Sequence, residues 1–190
     1  MKQLISGIAV FLTFAAYIPY YRDILSGKTQ PHVYSWALWS LLTIILVALQ
    51  IVGGAGAASW VTIAAGILCI GVVFLSYTSS KKDITSSDTI VAILSLLAMC
   101  FWLIAKQPII SILLVILADG LAFIPTIRKS WINPYSETLS LYATNALRFF
   151  LALAAVERYT FLSTSWIIFW AVGNALFAIM LVIRRSQVKE

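Results

Sequence analysis

Charge is scarce in this chain. Asp, Glu, Lys and Arg make up 11% of the residues and hydrophobic residues 62%, whereas a soluble domain carries roughly 25% charged residues. A water-soluble fold with a charged surface is excluded. Histidine occurs once, as His32, too few for a haem or multi-histidine metal site, and it reads as a solvated loop residue. The two cysteines, Cys69 and Cys100, both fall inside apolar runs, which excludes a disulfide framework and a cysteine-rich zinc site and leaves both as packing residues. No metal and no cofactor is expected. The net charge of +6 sits in short loops, where it orients a membrane protein; nucleic acid is not an expected partner. No nucleophile stands with a base or a metal cluster, so an enzyme is not expected. No apolar run holds a lysine away from its ends, which excludes a retinal-binding protein.

What the sequence has in abundance is apolar runs. They lie near 4–21, 34–52, 60–78, 88–105, 108–127, 137–156 and 164–183, each close to the ~20 residues that cross a bilayer. The expected fold is an all-α integral membrane protein with seven transmembrane helices and the lipid bilayer as its surroundings. The first run follows Lys2 but has no small-x-small cleavage site after it, so it is read as a helix and not a signal peptide. Three basic residues (Lys2, Lys106, Arg158) fall on one side of such a layout and nine, including Arg22, Lys81, Lys82, Arg128, Lys129 and Lys189, on the other. Arg148 is inside a helix. The positive-inside tendency then puts the N-terminus outside and the C-terminus in the cytoplasm, with the cytoplasmic (inner) membrane as the location. The tail from Arg184 to Glu190 reads as a basic anchor at the inner lipid surface.

An internal repeat organises the chain. Ala16-Tyr17-Ile18-Pro19 followed by Arg22 recurs 106 positions later as Ala122-Phe123-Ile124-Pro125 followed by Arg128. A second proline follows in each copy, Pro31 and Pro134, with a hydroxyl residue four positions on, Ser35 and Thr138. Trp60 and Trp166 open the third run of each copy, again 106 apart; Trp166 reads as an interfacial belt residue. The expected units are a first three-helix repeat over 1–80, a linker helix over 81–106 and a second repeat over 107–190. Four crossings per 106 residues give the copies the same orientation, a parallel repeat with a substrate path between its halves. Pro19 and Pro125, inside helix ends, leave the carbonyls of Ala15 and Leu121 unbonded and bend their helices.

Six polar residues inside the runs share one level. At ~1.5 Å per residue, Thr13, Thr43, Asp119, Asn145, Arg148 and Asn174 all lie about 12–16 Å from the outer end of their helix. A charge placed there costs roughly 2.5–3.5 kcal/mol on insertion scales, so a common cavity is the economical explanation. Thr138, Tyr142, Asn145 and Arg148 share one face of the sixth helix, and Ser35, Trp39 and Thr43 one face of the second. Hydrogen-bonding groups beside Trp39 suit a polar ring, while Trp36, Trp39 and Tyr142 also serve as packing aromatics. Asp119 and Arg148 are expected to form an ion pair that locks helices five and six together; the functional alternatives are that Arg148 holds an anionic or carbonyl-bearing substrate, or that Asp119 takes and releases a proton coupled to transport. Glu137, at the cytoplasmic start of helix six, is expected to pair with Arg22, Lys28 or Arg128 as an inner gate, or simply to face solvent.

Three helices, a linker and three helices, with a proline near the end of the first helix and another opening the second in each half, resemble the SWEET and PQ-loop superfamily. The resemblance covers nearly the whole chain. It implies two triple-helix bundles around a central cavity, alternating access on the hinges Pro19, Pro31, Pro125 and Pro134, and a small polar metabolite such as a sugar or amino acid as partner. The glutamine of the PQ dipeptide is replaced by Tyr20 and Thr126. Of the cavity asparagine pair of sugar-transporting members, Asn174 matches one position and Leu68 stands at the other. Vitamin-precursor transporters of the PnuC type share the fold; their Trp-x-x-Trp spacing occurs here as Trp36 and Trp39, with Thr43 where they carry Asn or Asp. KDEL receptors, which bind without transporting, also resemble PQ-loop proteins. One chain with two repeats encloses a cavity by itself, and a homo-oligomer is compatible with that. The orientation has a direct check: a cysteine at Ser80 is labelled only from inside intact cells and one at Ser163 only from outside, and outside reactivity at Ser80 reverses it.

Overall fold

Backbone amides buried in an apolar surrounding have only each other to bond, and the long apolar runs become helices for that reason. The computed structural model describes residues 1–78, 84–105 and 107–188. Ser80, Lys81, Lys82, Lys106 and Lys189 lie outside the described residues. Among these residues the chain is all-helical: α1 (Lys2–Leu25), α2 (Val33–Val52), α3 (Ser59–Thr78), α4 (Ser86–Ala105), α5 (Pro108–Ile132), α6 (Leu139–Ala155) and α7 (Phe161–Gln187), with short 3-10 turns at Gly56–Ala58 and Pro134–Ser136. Five segments, α1, α2, Gly56–Tyr77, α5 and α7, are long and apolar enough to cross a membrane. The α6 helix has 17 residues and includes Asn145 and Arg148.

The ends follow local chemistry. Pro108, which has no N–H to lose, opens α5. Thr160 and Ser163 form a reciprocal capping box at the start of α7. Ser163 is consequently buried, and exposed Tyr159 in the same connection is the better labelling position. Three helices overrun their expected ends, α1 reaching Leu25, α5 Ile132 and α7 Gln187. The last turn of α5 holds Lys129, which donates to Glu137, and α7 continues through Arg184 and Arg185, which donate to the carbonyls of Trp131, Pro134 and Glu137. Those two arginines dock on the α5–α6 connection, a role in addition to the lipid anchor expected of the tail.

Six helices close a ring. α1 packs on α3, α3 on α2, α2 on α5, α5 on α7, α7 on α6 and α6 back on α1. Exchanging α1, α2 and α3 for α5, α6 and α7 maps this list of contacts onto itself. α4 lies outside the ring against α5 and α2. Its Ser95 donates to the carbonyl of Ala118 at 3.2 Å, and its Asp88 meets Arg128 at 2.9 Å and His32 at 3.4 Å. His32 is thus 2% exposed and not solvated, and burial pushes its imidazole below the usual range. Cys69 is buried in the ring, whereas Cys100 on α4 is exposed and packs on nothing in the core. Outward faces are apolar: Phe11 and Ile18 on α1, Ile44 on α2, Phe74 on α3, Leu117 on α5 and Leu176 on α7 are all exposed. An apolar exterior around a polar interior is the arrangement a bilayer favours.

Glycine sets the closest approach in the first half. A Cβ at Gly66 of α3 would lie 2.6 Å from Thr43 Cγ2 and 3.3 Å from Thr43 Cβ on α2. Overpacking of this kind costs about 1–3 kcal/mol. Gly66→Ala therefore lowers the melting temperature in detergent, and Gly66→Ala/Thr43→Ser, which removes the clashing methyl, recovers part of the loss.

Candidate functional site

Helical phase alone puts the site residues on inward faces. Trp36, Trp39 and Thr43 follow one another at spacings of three and four on α2, Tyr142, Asn145 and Arg148 at three and three on α6, and Trp166, Trp170 and Asn174 at four and four on α7. Ring closure turns these stripes toward one another. They line a central cavity with Tyr17 of α1, Ala65 and Cys69 of α3, Asp119 of α5 and Phe149 of α6, so every ring helix contributes.

Of the eight residues expected at the substrate site, the structure brings Asn174, Asn145, Arg148, Asp119, Trp39, Thr43 and Tyr142 to this cavity. Thr13 does not line it. Its side chain is fully buried and donates to the Ala9 carbonyl one turn back, at 2.8 Å. A threonine inside a helix satisfies itself in this way at little cost, while Asp119 at the repeat-related position needs outside donors.

The expected ion pair between Asp119 and Arg148 is not formed. Asp119 Oδ2 accepts from the indole N–H of Trp166 at 2.5 Å and of Trp170 at 3.1 Å. Trp166, expected in the interfacial belt, is therefore a buried donor, 5% exposed. Arg148 Nε donates to Asn145 Oδ1 at 2.7 Å, and the guanidinium sits 4.2 Å from the Phe149 ring centroid. Its Nη1 atom is buried without a partner. Both charges face one cavity, and each is held by its own wall.

Aromatic edges fill most of the space. Trp39 meets Trp36 at 5.2 Å and Trp170 at 5.3 Å between ring centroids, both edge-on. Phe149 meets Trp166 edge-on at 5.4 Å. The free volume left is about 50 Å³, room for a few waters, whereas a bound metabolite needs about 300 Å³ or more.

Both mouths of the ring are closed by contacts between its halves. At the end carrying the N-terminus, Lys2 donates to the Val156 carbonyl at 2.6 Å, Arg158 N–H to Gly54 O at 3.2 Å and Thr160 Oγ1 to Gly53 O at 3.0 Å. Gly56 has φ +60°, which favours glycine there, and the Glu157 carboxyl lies where a Cβ would stand. At the other end Gln30 N–H donates to Ser136 O at 3.1 Å, and Thr126 Oγ1 to Ser35 Oγ at 3.1 Å. Thr138 shares a 2.6 Å hydrogen bond with Thr29 and donates to Asp23 at 3.0 Å.

Glu137 lies at the centre of that second closure. It is 1% exposed; of its expected partners Arg22 pairs with Asp23 and Arg128 with Asp88, while Lys28 lines, together with Glu137, a vestibule of about 570 Å³. Its carboxylate instead takes Lys129 Nζ at 2.7 Å, Tyr20 Oη at 3.0 Å and Tyr142 Oη at 3.1 Å. Lys129 also donates to the Gln30 carbonyl. Glu137 lines the vestibule and Tyr142 lines the cavity, so their hydrogen bond stands in the wall between the two spaces. Sequence reasoning missed Lys129 and Tyr20. The α5 spacing Ala122, Thr126, Lys129 carried the signal, since it continues the buried stripe to the helix end.

Breaking one partner of a buried ion pair costs about 3–5 kcal/mol, because the other charge is left uncompensated. Glu137→Gln therefore lowers thermal stability strongly, Tyr20→Phe only slightly, and Lys129→Met added to Glu137→Gln recovers most of the loss. A Glu137→Gln protein that melts like the wild type contradicts the assigned pair. No family model matches this chain, and no curated protein or solved structure matches it.

Proposed function

We propose that this protein is a small-molecule membrane carrier of the SWEET-like kind, moving a small polar metabolite across the inner membrane by alternating access. The observation that carries the reading is the central cavity between the repeat halves, lined from all six ring helices with Asp119, Asn145, Arg148 and Asn174 among its aromatic walls, and the hydrogen bonds that join the halves at both ends. In this reading all seven helices cross the membrane, the N-terminus is outside, and the triple bundles α1–α3 and α5–α7 rock against each other along the α1–α6 and α2–α5 contacts.

The geometry supplies parts suited to that motion. Glu137, Lys129, Tyr20 and Tyr142 act as the inner gate, and the Lys2, Gly53 and Gly54 contacts as the outer one. The bonds that cross between halves are Tyr20 to Glu137 and Lys129 to the Gln30 carbonyl at the inner gate and those of Lys2, Gly53 and Gly54 at the outer one. Pro19 and Pro125 lie inside α1 and α5, where the missing N–H weakens the helix next to the gates. Pro31 precedes α2 and Pro134 opens the turn before α6, placing all four prolines along the inner closure. In this reading the small cavity belongs to a contracted form, and a substrate enters when one gate opens and the aromatic edges part.

Proteoliposomes offered a mixed pool of small metabolites test the proposal, with the contents read by mass spectrometry. One compound accumulates, and Asn174→Ala abolishes or weakens its binding with the fold intact. Pro125→Ala slows uptake more than it weakens binding. A compound that stabilises the purified protein yet never enters the vesicles replaces the carrier by a ligand receptor.

A further inference from the structure

The central cavity has an unmet need, and that need has a sign. Two buried side-chain atoms among its lining residues lack a hydrogen-bond partner, Arg148 Nη1 and Trp36 Nε1, and both are donors. Two acceptors in the same wall are already supplied, Asp119 Oδ2 by Trp166 and Trp170 and Asn145 Oδ1 by Arg148 Nε. What the two unpartnered buried donors ask of a ligand is an acceptor.

Charge narrows this further. A guanidinium keeps its proton in proteins, and Arg148 is 2% exposed, so its charge is buried. Among the described residues no carboxylate lies within ion-pair distance of it. A buried charge without a counter-ion is costly, and the missing partner is an anion. Asp119 faces the same cavity and repels further negative charge, which disfavours a dianionic phosphate. No lysine and no second arginine line the cavity to balance one. A planar carboxylate, by contrast, matches the guanidinium plane, and Trp36 lines the same cavity as Arg148.

We propose that the cavity selects small metabolites bearing a single carboxylate, which accepts hydrogen bonds from Arg148 Nη1 and Trp36 Nε1. This rests on the reading of the cavity as the substrate site. The remainder of such a molecule lies toward the indoles of Trp39 and Trp170, with Asn174 at its edge.

Thermal unfolding of the purified full-length protein in detergent provides the test, with matched acids and neutral partners as probes: benzoate and benzamide, nicotinate and nicotinamide, alanine and alaninamide, glucuronate and glucose. At least one acid stabilises the protein at about ten- to hundredfold lower concentration than its neutral partner, the range a charge-assisted hydrogen bond contributes. Arg148→Gln erases the preference while melting at or above the wild-type temperature, since it removes an uncompensated buried charge. Trp36→Phe keeps an aromatic ring, loses the N–H and weakens binding of the acid. Equal response to acid and neutral partner, no response to any acid, or an acid preference that survives Arg148→Gln overturns the proposal. Uptake separates it from the carrier reading: an acid that binds but is not transported removes the carrier and leaves the carboxylate site. Transport of glucose that is indifferent to Arg148→Gln does the reverse.

Discussion

Inside a ring of apolar helices water is scarce, and each polar side chain must find its partner in the protein. That constraint explains more of this molecule than any single contact. Thr13 and Thr43 meet it within their own helix, each donating to a carbonyl four residues back. Asp119 meets it across the α5–α7 contact through two indoles, and Glu137 through donors from α1, α5 and α6. Each solution that reaches another helix also fixes how the helices sit. Satisfying a carboxylate and assembling the ring are the same event.

The two carboxylates divide the work. Glu137 pairs with a lysine and two phenols at a closure between halves, where its bonds hold the ring shut at one mouth. Asp119 takes neutral indole donors at mid-depth and leaves Arg148 without a counter-charge. A single shared ion pair would have neutralised both charges and left a cavity with little to offer an anion. Separate clamping leaves one donor of the guanidinium without a partner, with the Phe149 ring against its face. Trp166 and Trp170 therefore do more than fill space: they hold the carboxylate on its own wall.

How much of this was legible in the sequence varies with the kind of information each residue carries. Runs of apolar residues bounded by Pro, Gly and charge located all seven α helices, because helix formation in an apolar medium depends on local composition. Phase along α2, α6 and α7 named Trp39, Thr43, Tyr142, Asn145, Arg148 and Asn174 as neighbours on their faces. Partner choice was less legible. Asp119 and Arg148 are the only opposite charges inside the runs, yet two indoles of α7, 47 and 51 residues further along the chain, hold the carboxylate. Lys129 stands beside Arg128 in the sequence, and one is buried on Glu137 while the other reaches Asp88, a difference set by 100° of helix rotation.

The sequence by itself determined the solvent this protein is suited to, its helices, its 106-residue repeat and the faces that carry polar groups. All of these depend on composition and on the periodicity of one segment. Only the tertiary structure decided that Trp166 is a buried donor, that His32 is held against Asp88, that Glu137 closes the ring and that Arg148 keeps an unpartnered nitrogen. Those outcomes depend on which helix stands opposite, and the distance between two side chains on different helices is set by packing and not by their spacing along the chain.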